Sequence, residues 1–407
     1  GVMYYETGNY RQARNYFEKA IALTPLTEAT LRANYQINIA SMLLKSGEHE
    51  QAKAVYEGLL PLNVFTDEIY HNLGIISLGQ KDYKTAADQL SRVQYDDKKN
   101  IDLYYNRSMA WSGLDEPDSA DQYLHMAFAE NLKWNGHRKN VTYGLILKYQ
   151  GDAMEAKKQY KQALPFYQQA IMQFDNNFSI PDVNSNPDQF SGVFSYINLF
   201  NTLSAKGDAL EKLYQQEKEP ATLVAALDAY RSAFRLAEYV ERVYNSDEAR
   251  LFLGKIKHAA HSRPIDIGIQ LYQLTQKSEY LEEVYFFDQR NKASVLSLNV
   301  KMQELSAAGP EGNDLFRRES SIKSAITRLS LKAATQTDSV QFAALNASIR
   351  DREIELDKIR EEINADPWRN QLLAAEKIPT INQLKRKLDN TTALLSFHLS
   401  EEELLVL

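Results

Sequence analysis

Asparagine side chains recur at a fixed interval in the first part of the chain. The step from Asn38 to Asn72 equals the step from Asn72 to Asn106. A carboxamide offers two N–H donors and an oxygen acceptor, but it is neither a nucleophile nor an acid or base at neutral pH. The chemistry that these residues could do is therefore recognition by hydrogen bonding.

Alanines keep the same step, which identifies the element that must position the amides. Ala52, Ala86 and Ala120 repeat in register with the asparagines. Two residue types that repeat together indicate a copied unit, and a period of about 34 residues is typical of helix–turn–helix repeats that stack into a superhelix. A small residue on the second helix lets the two helices of a unit approach closely. The sequence thus predicts an elongated scaffold whose work is surface contact.

Two units carry the fullest pattern of large and small residues. Their positions are Tyr70, Leu73, Gly74, Tyr83, Ala86, Leu90, Val93 and Tyr104, Arg107, Ser108, Trp111, Ala120, Leu124, Ala127. The pattern resembles the tetratricopeptide repeat (TPR). The resemblance implies that Asn at the sixth position of each unit lies on a concave face and hydrogen-bonds the backbone of a bound peptide. The alternative is that Asn is simply common at this position.

Residues at the fifth and ninth positions would line the same concave trough. The predicted peptide-binding residues are Asn38, Asn72, Asn106, His71, Tyr105, Ile75 and Met109. Apolar and hydrogen-bonding side chains are mixed in this way on protein recognition surfaces, so we expect a protein or peptide ligand in the groove. One TPR subclass grips a C-terminal carboxylate with Lys and Arg. That clamp is not expected here, because the fifth positions hold Ile37, His71 and Tyr105.

The repeats predict a solenoid over 1–300, with about seven helical hairpins that become irregular after 175. Residues 176–192 are rich in Asn, Ser and Pro, which indicates a loop. Two longer hairpins follow, pairing 193–216 with 221–244 and 247–275 with 278–300. Gly1 falls part-way into the pattern of the first unit, which suggests that this repeat is truncated.

A helical hairpin and linker are predicted over 301–388. Apolar residues recur every seven positions at Leu315, Ile322, Leu329 and at Phe342, Ile349, Leu356, Ile363. Heptads this short favour an antiparallel pair of helices. Residues 389–407 alternate apolar and polar side chains and predict a short C-terminal β-hairpin. The fold class is therefore all-α: a TPR-type α-α superhelix, then an antiparallel helical hairpin, then a β-hairpin.

The tail carries a second resemblance. The segments 247–253 (DEARLFL), 281–295 (LEEVYFFDQRNKASV) and 388–407 are similar to the approach to a CHAT domain. This caspase- and separase-like cysteine-protease fold is associated with TPRs in bacteria. The resemblance implies that the chain stops at the first strands of that domain. The family's catalytic His and Cys would lie downstream, and His398 is not the catalytic His. The chain would recruit a partner or substrate for a downstream cysteine endopeptidase.

Composition excludes several classes of site. There are no cysteines, which excludes disulfides, thiolate metal sites and a cysteine nucleophile, so no catalytic residue is assigned in this chain. The net charge of −7 argues against nucleic acid, and no apolar run approaches the roughly 18 residues of a membrane span. No cofactor or metal is predicted. His258 and His261 are one helical turn apart, but the sequence shows no third zinc ligand.

Two alternatives stay open from the sequence. The chain could be a non-enzymatic TPR adaptor that assembles a complex. It could also be the sensor region of a bacterial signalling protein with a DNA-binding or kinase output. The change from helices to strands near the end disfavours both, because a helix-turn-helix output would continue in helices.

Overall fold

The architecture was obtained from a computed structural model. The structure describes residues 1–6, 8–243, 247–257, 260–292, 312–334, 336, 338–364, 381–389, 391–392, 395, 397–399 and 404–406. The helices of the array are α1 Val2–Glu6, α2 Tyr10–Leu23, α3 Ala29–Lys45, α4 His49–Leu59, α5 Thr66–Gly79, α6 Tyr83–Ser91, α7 Lys99–Gly113, α8 Pro117–Asn135, α9 Val141–Ala156, α10 Tyr160–Phe174, α11 Tyr196–Glu217, α12 Pro220–Val243, α13 Asp247–Leu251, α14 Ser262–Thr275 and α15 Ser278–Lys292. A 3₁₀ turn, Leu60–Leu62, follows α4, and a π-helical segment, Phe252–Lys257, follows α13.

Helices pack in consecutive pairs because small residues face large ones. An ideal Cβ built on Gly151 of α9 would lie 2.6 Å from the Tyr167 ring of α10, so only glycine allows this approach. Gly207 of α11 meets Tyr230 of α12 at the same 2.6 Å. The predicted small-on-large pattern thus has a steric cause. The prediction of a nearly all-helical repeat fold is confirmed for the described residues.

The turn inside each repeat has its own periodicity in backbone conformation. A residue with positive φ ends the turn at Gly8, Gly47, Lys81, Asp115 and Lys158, with φ between 59° and 80°. The steps from 47 to 81 and from 81 to 115 equal the step between the asparagines. Only the first two positions hold glycine, which adopts this left-handed region at no steric cost. The copied unit therefore repeats in backbone geometry even where its residue types diverge.

The second half of the array shares one continuous core. Buried side chains from Leu147 to Phe287 form a single cluster. Within it, the ring of Phe200 lies 5.7 Å from that of Phe234 and 5.2 Å from that of Phe252. The repeats before it hold smaller, separate clusters. The longer helices that follow residue 175 are therefore a more compact part of the solenoid.

Two lysines hold the loop between α10 and α11. Lys139 Nζ donates to the carbonyl oxygens of Asp175, Asn176 and Phe178 at 2.6–3.1 Å. Lys206 of α11, fully buried, donates to Gln168 Oε1, Ser185 O and Asn186 Oδ1 at 2.7–3.0 Å. The predicted loop over 176–192 is therefore anchored from both sides.

The array bends back on its own beginning. Glu248 of α13 accepts hydrogen bonds from Tyr10 Oη of α2 and Tyr196 Oη of α11, each at 2.9 Å. The Glu248 backbone N–H also donates to Gly8 O at 3.1 Å. In a simple solenoid each repeat contacts only its neighbours. Here the first repeat meets a segment from the far end of the array.

A further helical pair follows the array. The helices are α16 Gly312–Ala334 and α17 Ser339–Asn364, joined by Ile322, Leu356 and Ile359 with Leu315 and Ile326 at the margins. The second heptad series was wrong at its first member. The side chain of Phe342 is 44% exposed and does not lie between α16 and α17.

The chain ends with a short helix and two very short strands. Helix α18 is Ile381–Lys387. The strands are β1 Phe397–Leu399 and β2 Leu404–Val406, paired antiparallel with His398 opposite Leu405. Two strands of this length do not support the predicted β-hairpin as the start of a further domain, since isolated two-stranded pairs are marginally stable.

Candidate functional site

The seven predicted peptide-binding residues lie on the first helices of three successive repeats. Asn38 is on α3, His71, Asn72 and Ile75 are on α5, and Tyr105, Asn106 and Met109 are on α7. Helix α5 contacts both α3 and α7. The structure therefore places the seven residues along one continuous row of helices, which we call the first-helix row.

The amides of Asn38 and Asn72 are anchored in the same way. Asn38 Nδ2 donates to Asn34 O at 2.8 Å, and Asn72 Nδ2 donates to Glu68 O at 2.9 Å. A carbonyl only accepts, so the amide nitrogen must face it and the orientation of each amide is defined. Among the described residues, no donor reaches Oδ1 of either side chain. Each amide thus keeps an acceptor for a ligand.

Asn106 is engaged differently, in a chain of polar side chains. Its Nδ2 lies 2.9 Å from His71 Nε2, and His71 Nδ1 lies 3.2 Å from Tyr95 Oη. Burial, with the positive charges of Arg107 and Lys99, lowers the pKa of His71 to about 4. The ring is therefore neutral at physiological pH. With the amide donating to Nε2, the ring proton sits on Nδ1 and is donated to Tyr95.

Next to this chain lies a carboxylate that the sequence did not predict. Asp102 of α7 is exposed to solvent, and Thr142 Oγ1 of α9 donates to Asp102 Oδ1 at 3.1 Å. The protein that packs around this carboxyl raises its pKa. The available signal was spacing, because Asp102 precedes Tyr105 and Asn106 by one helical turn and so shares their face.

Two aromatic rings pack together close to Asp102 in the sequence of α7 and on the facing helix α9. Tyr105 packs edge-on against Tyr149 of α9, with ring centroids 6.2 Å apart. Burial raises the pKa of Tyr105, so its hydroxyl stays protonated and remains a donor. Ile75 and Met109 are half-buried on the neighbouring turns. The region combines apolar surface with a carboxylate and amide acceptors.

Carboxylates occur farther along the array, directly after two of the glycines at which helices approach closely. The sequence contains GDAME at 151–155 and GDALE at 207–211. Asp152 Oδ1 and Glu155 Oε2 lie 2.9 and 2.7 Å from Tyr167 Oη, and Tyr230 Oη donates to Asp208 Oδ1 at 2.7 Å. Sequence reasoning missed this repeated acidic pair.

Cations on adjacent helices balance these carboxylates. Lys148 pairs with Asp152 at 2.7 Å, and Lys212 of α11 pairs with Glu155. Arg263 of α14 lies 3.8 Å from Asp208. The first pair lies within α9, whereas the other two join α11 to α9 and α14 to α11, so they help to set the position of one repeat on another.

The described residues contain no group of three or more His, Asp and Glu placed to hold a metal ion. His261 directly precedes the first residue of α14, whereas His258 lies outside the described residues. Within the same part of the chain, no helix has the length and apolar character to cross a bilayer.

A tetratricopeptide-repeat family model matches residues 1–26, which hold α1 and α2. TPRs commonly bind proteins or peptides. No match was found among curated protein sequences.

Solved structures of helical proteins overlay loosely on the chain. BtubC (BKLC) from P. vanneervenii gives a TM-score of 0.41 at 14% identity, covering 58% of this chain and 92% of that one. The human IFIT1 dimer with m7Gppp-AAAA gives 0.39 at 13% identity, covering 84% and 72%. The IFIT1 dimer with PPP-AAAA gives 0.37 at 15% identity, covering 84% and 73%. Overlays at this level carry no functional assignment.

Proposed function

We propose that this chain is a protein-interaction scaffold whose first-helix row binds an extended segment of a partner protein. The observation that carries the proposal is the matched geometry of Asn38 and Asn72. Both amide nitrogens are anchored to their own helices, and both amide oxygens are left as acceptors. An extended polypeptide presents backbone N–H donors that such acceptors recognise without regard to sequence.

Side chains of the ligand would be selected by the surfaces between the amides. Tyr105, Ile75 and Met109 offer half-buried apolar surface, and Asp102 offers a solvent-accessible carboxylate. Apolar anchors supply most of the affinity at protein interfaces, and polar contacts supply orientation. We expect a ligand with alternating apolar side chains and a hydrogen-bond donor or cation opposite Asp102.

The test is selection of peptide ligands followed by matched amide substitutions. Short peptides are selected from a random phage-displayed library on the folded chain, and the binding of one labelled peptide is measured by fluorescence anisotropy. Loss of one hydrogen bond costs about 0.5–1.5 kcal/mol, so Asn72→Ala should weaken binding by about 2- to 12-fold. Combining it with Tyr105→Ala should weaken binding further.

Asn135→Ala is the matched control, because Asn135 also donates to a residue one turn earlier but sits at the end of α8. If Asn72→Ala and Asn135→Ala bind the selected peptide equally well, the first-helix row is not the binding surface. Circular dichroism shows whether each variant keeps its helical content.

We further infer that the array serves a CHAT-type cysteine-protease module following it in the full-length protein, with the array capturing the partner or substrate. The support is the resemblance of 388–407 to the approach to such a domain. The experiment is sequencing of the full coding region. Absence of a His and a Cys in the sequence that follows would refute the protease module and leave an adaptor.

A further inference from the structure

Helix α17 is packed on two different sides. Leu356 and Ile359 face α16. At about 3.6 residues per turn, Arg350 and Ile354 project about 120° to 180° away from these two residues. Ile354 is nevertheless only 8% exposed. A second element must therefore cover the opposite side of α17.

That second element is α2 of the first repeat. Asn15 Nδ2 donates to Glu353 Oε2 at 3.0 Å, and Lys19 Nζ donates to Asp351 Oδ1 at 2.9 Å. Asn15 is only 5% exposed, which shows that the contact excludes water. The apolar contribution of α17 to this side is Ile354, the residue after Glu353.

The contact between α2 and α17 is polar and incompletely satisfied. Lys19 and Asp351 are 47% and 55% exposed, and an ion pair this open contributes little stability. Gln12 of α2 is 2% exposed, and neither polar atom of its amide has a partner in the described part of the chain. Arg350 Nε is likewise buried without a partner there, and Arg350 Nη1 lies 3.8 Å from Glu18 Oε2 of α2, beyond hydrogen-bonding distance. Buried polar groups without partners oppose closure, so the docked state is only weakly favoured.

We propose that the α16–α17 hairpin is a releasable dock, which sits on α2 in one state and leaves it in another. The Tyr10–Glu248–Tyr196 contact keeps the first repeat in place in both states, so release moves the hairpin rather than the array. Release therefore changes the position of α16 and α17 relative to the first repeat. Release also uncovers the side of α2 that carries Gln12, Asn15 and Lys19.

This dock couples the array to the α16–α17 hairpin. A ligand that binds one of two states better shifts the population toward it. Arg32 of α3 donates to Ile21 O and Thr24 O at the end of α2. A ligand that shifts α3 can therefore shift α2 and change its contact with α17. Only this last consequence rests on the proposed function. The dock itself does not.

The test measures the distance in solution between α17 and the turn that joins α2 to α3. The chain has no cysteine, so Glu28→Cys and Lys358→Cys, both at exposed positions, give two unique sites for spin labels. Double electron–electron resonance should show one main distance in this background. Ile354→Asp adds a charge to the covered side of α17 and should produce a second, longer and broader population. Ala344→Asp adds the same charge at an exposed position of α17 and should leave the distance unchanged.

A charge exchange gives an independent variant series that does not disturb the apolar contact. Lys19→Glu should increase the long-distance population, and Lys19→Glu combined with Asp351→Lys should restore the short one. Raised salt should act in the same direction as Lys19→Glu, since exposed pairs are screened.

Two outcomes would overturn the dock. One is an unchanged distance in both Ile354→Asp and Lys19→Glu, with helicity retained by circular dichroism. The other is a mass that doubles with concentration and falls to one chain in Ile354→Asp, because the contact would then join two copies. Asn72→Ala should leave the distances unchanged, so failure of the peptide-binding test and failure of the dock are distinguishable.

Discussion

Replacing Lys206 with methionine should remove a specific pH dependence of stability. Lys206 is fully buried in the second-half core, and its ammonium donates to Gln168, Ser185 and Asn186. Burial lowers the pKa of Lys206 to about 7, and the negative charge of Asp182 raises it by a smaller amount. Methionine has a similar length and no charge, so Lys206→Met keeps the volume and removes the titration.

The size of the effect follows from proton linkage. Unfolded Lys206 titrates near its ordinary value of 10.5 and folded Lys206 near 7. Between these values the unfolded chain binds one more proton, so the free energy of unfolding rises with pH by about 1.4 kcal/mol per unit. From pH 7 to 10 the parent chain should gain about 4 kcal/mol relative to Lys206→Met. Above pH 10 buried tyrosines such as Tyr230, whose pKa is raised, oppose this trend.

The measurement is urea unfolding of both chains at pH 7, 8, 9 and 10, followed by circular dichroism. The quantity to compare is the difference between the two free energies of unfolding, because titrations that both chains share cancel in it. Lys161→Met is the control, since Lys161 lies on α10 with its side chain 80% exposed. Parallel profiles for the parent chain and Lys206→Met would show that Lys206 is not held neutral, and the burial argument would fail.

Two other results are expected from the same structure. The imidazole of His71 should stay neutral down to about pH 4 in an NMR titration, and stability should fall between pH 6.5 and 4, because only the unfolded chain takes up that proton. A His71 titration near 6.5 would contradict its placement. Gly151→Ala should lower the free energy of unfolding by about 1–3 kcal/mol, because the new methyl meets the buried Tyr167 ring. Gly58→Ala, with open space around it, should be neutral or stabilising by up to about 1 kcal/mol, and equal effects at both sites would refute the packing account.

Features that recur with the period were predictable from the sequence. The equal steps between asparagines and between alanines identified the helical repeats, and Gly74 of the repeat pattern lies at a close helix approach. Such patterns are visible because neighbouring repeats make the same helix–helix contact. Residues that meet one steric requirement therefore recur several times in the sequence. The candidate row of Asn38, Asn72 and Asn106 was found in this way, and its role in binding is still a prediction.

Other features depended on residues brought together once. Glu248 meets Tyr10 across 238 positions, and Asn15 meets Glu353 across 338. A contact that occurs a single time leaves no periodic pattern in the sequence. The contacts of α13 and α17 with the first repeat could therefore not be inferred. The protonation of His71 and Lys206 was hidden for the same reason, since a pKa is set by the local burial and charge of the folded chain. Sequence alone therefore determined the repeating unit and its steric rules. Tertiary structure decided how the array closes and which polar groups are held neutral, because burial and long-range contacts exist only after folding.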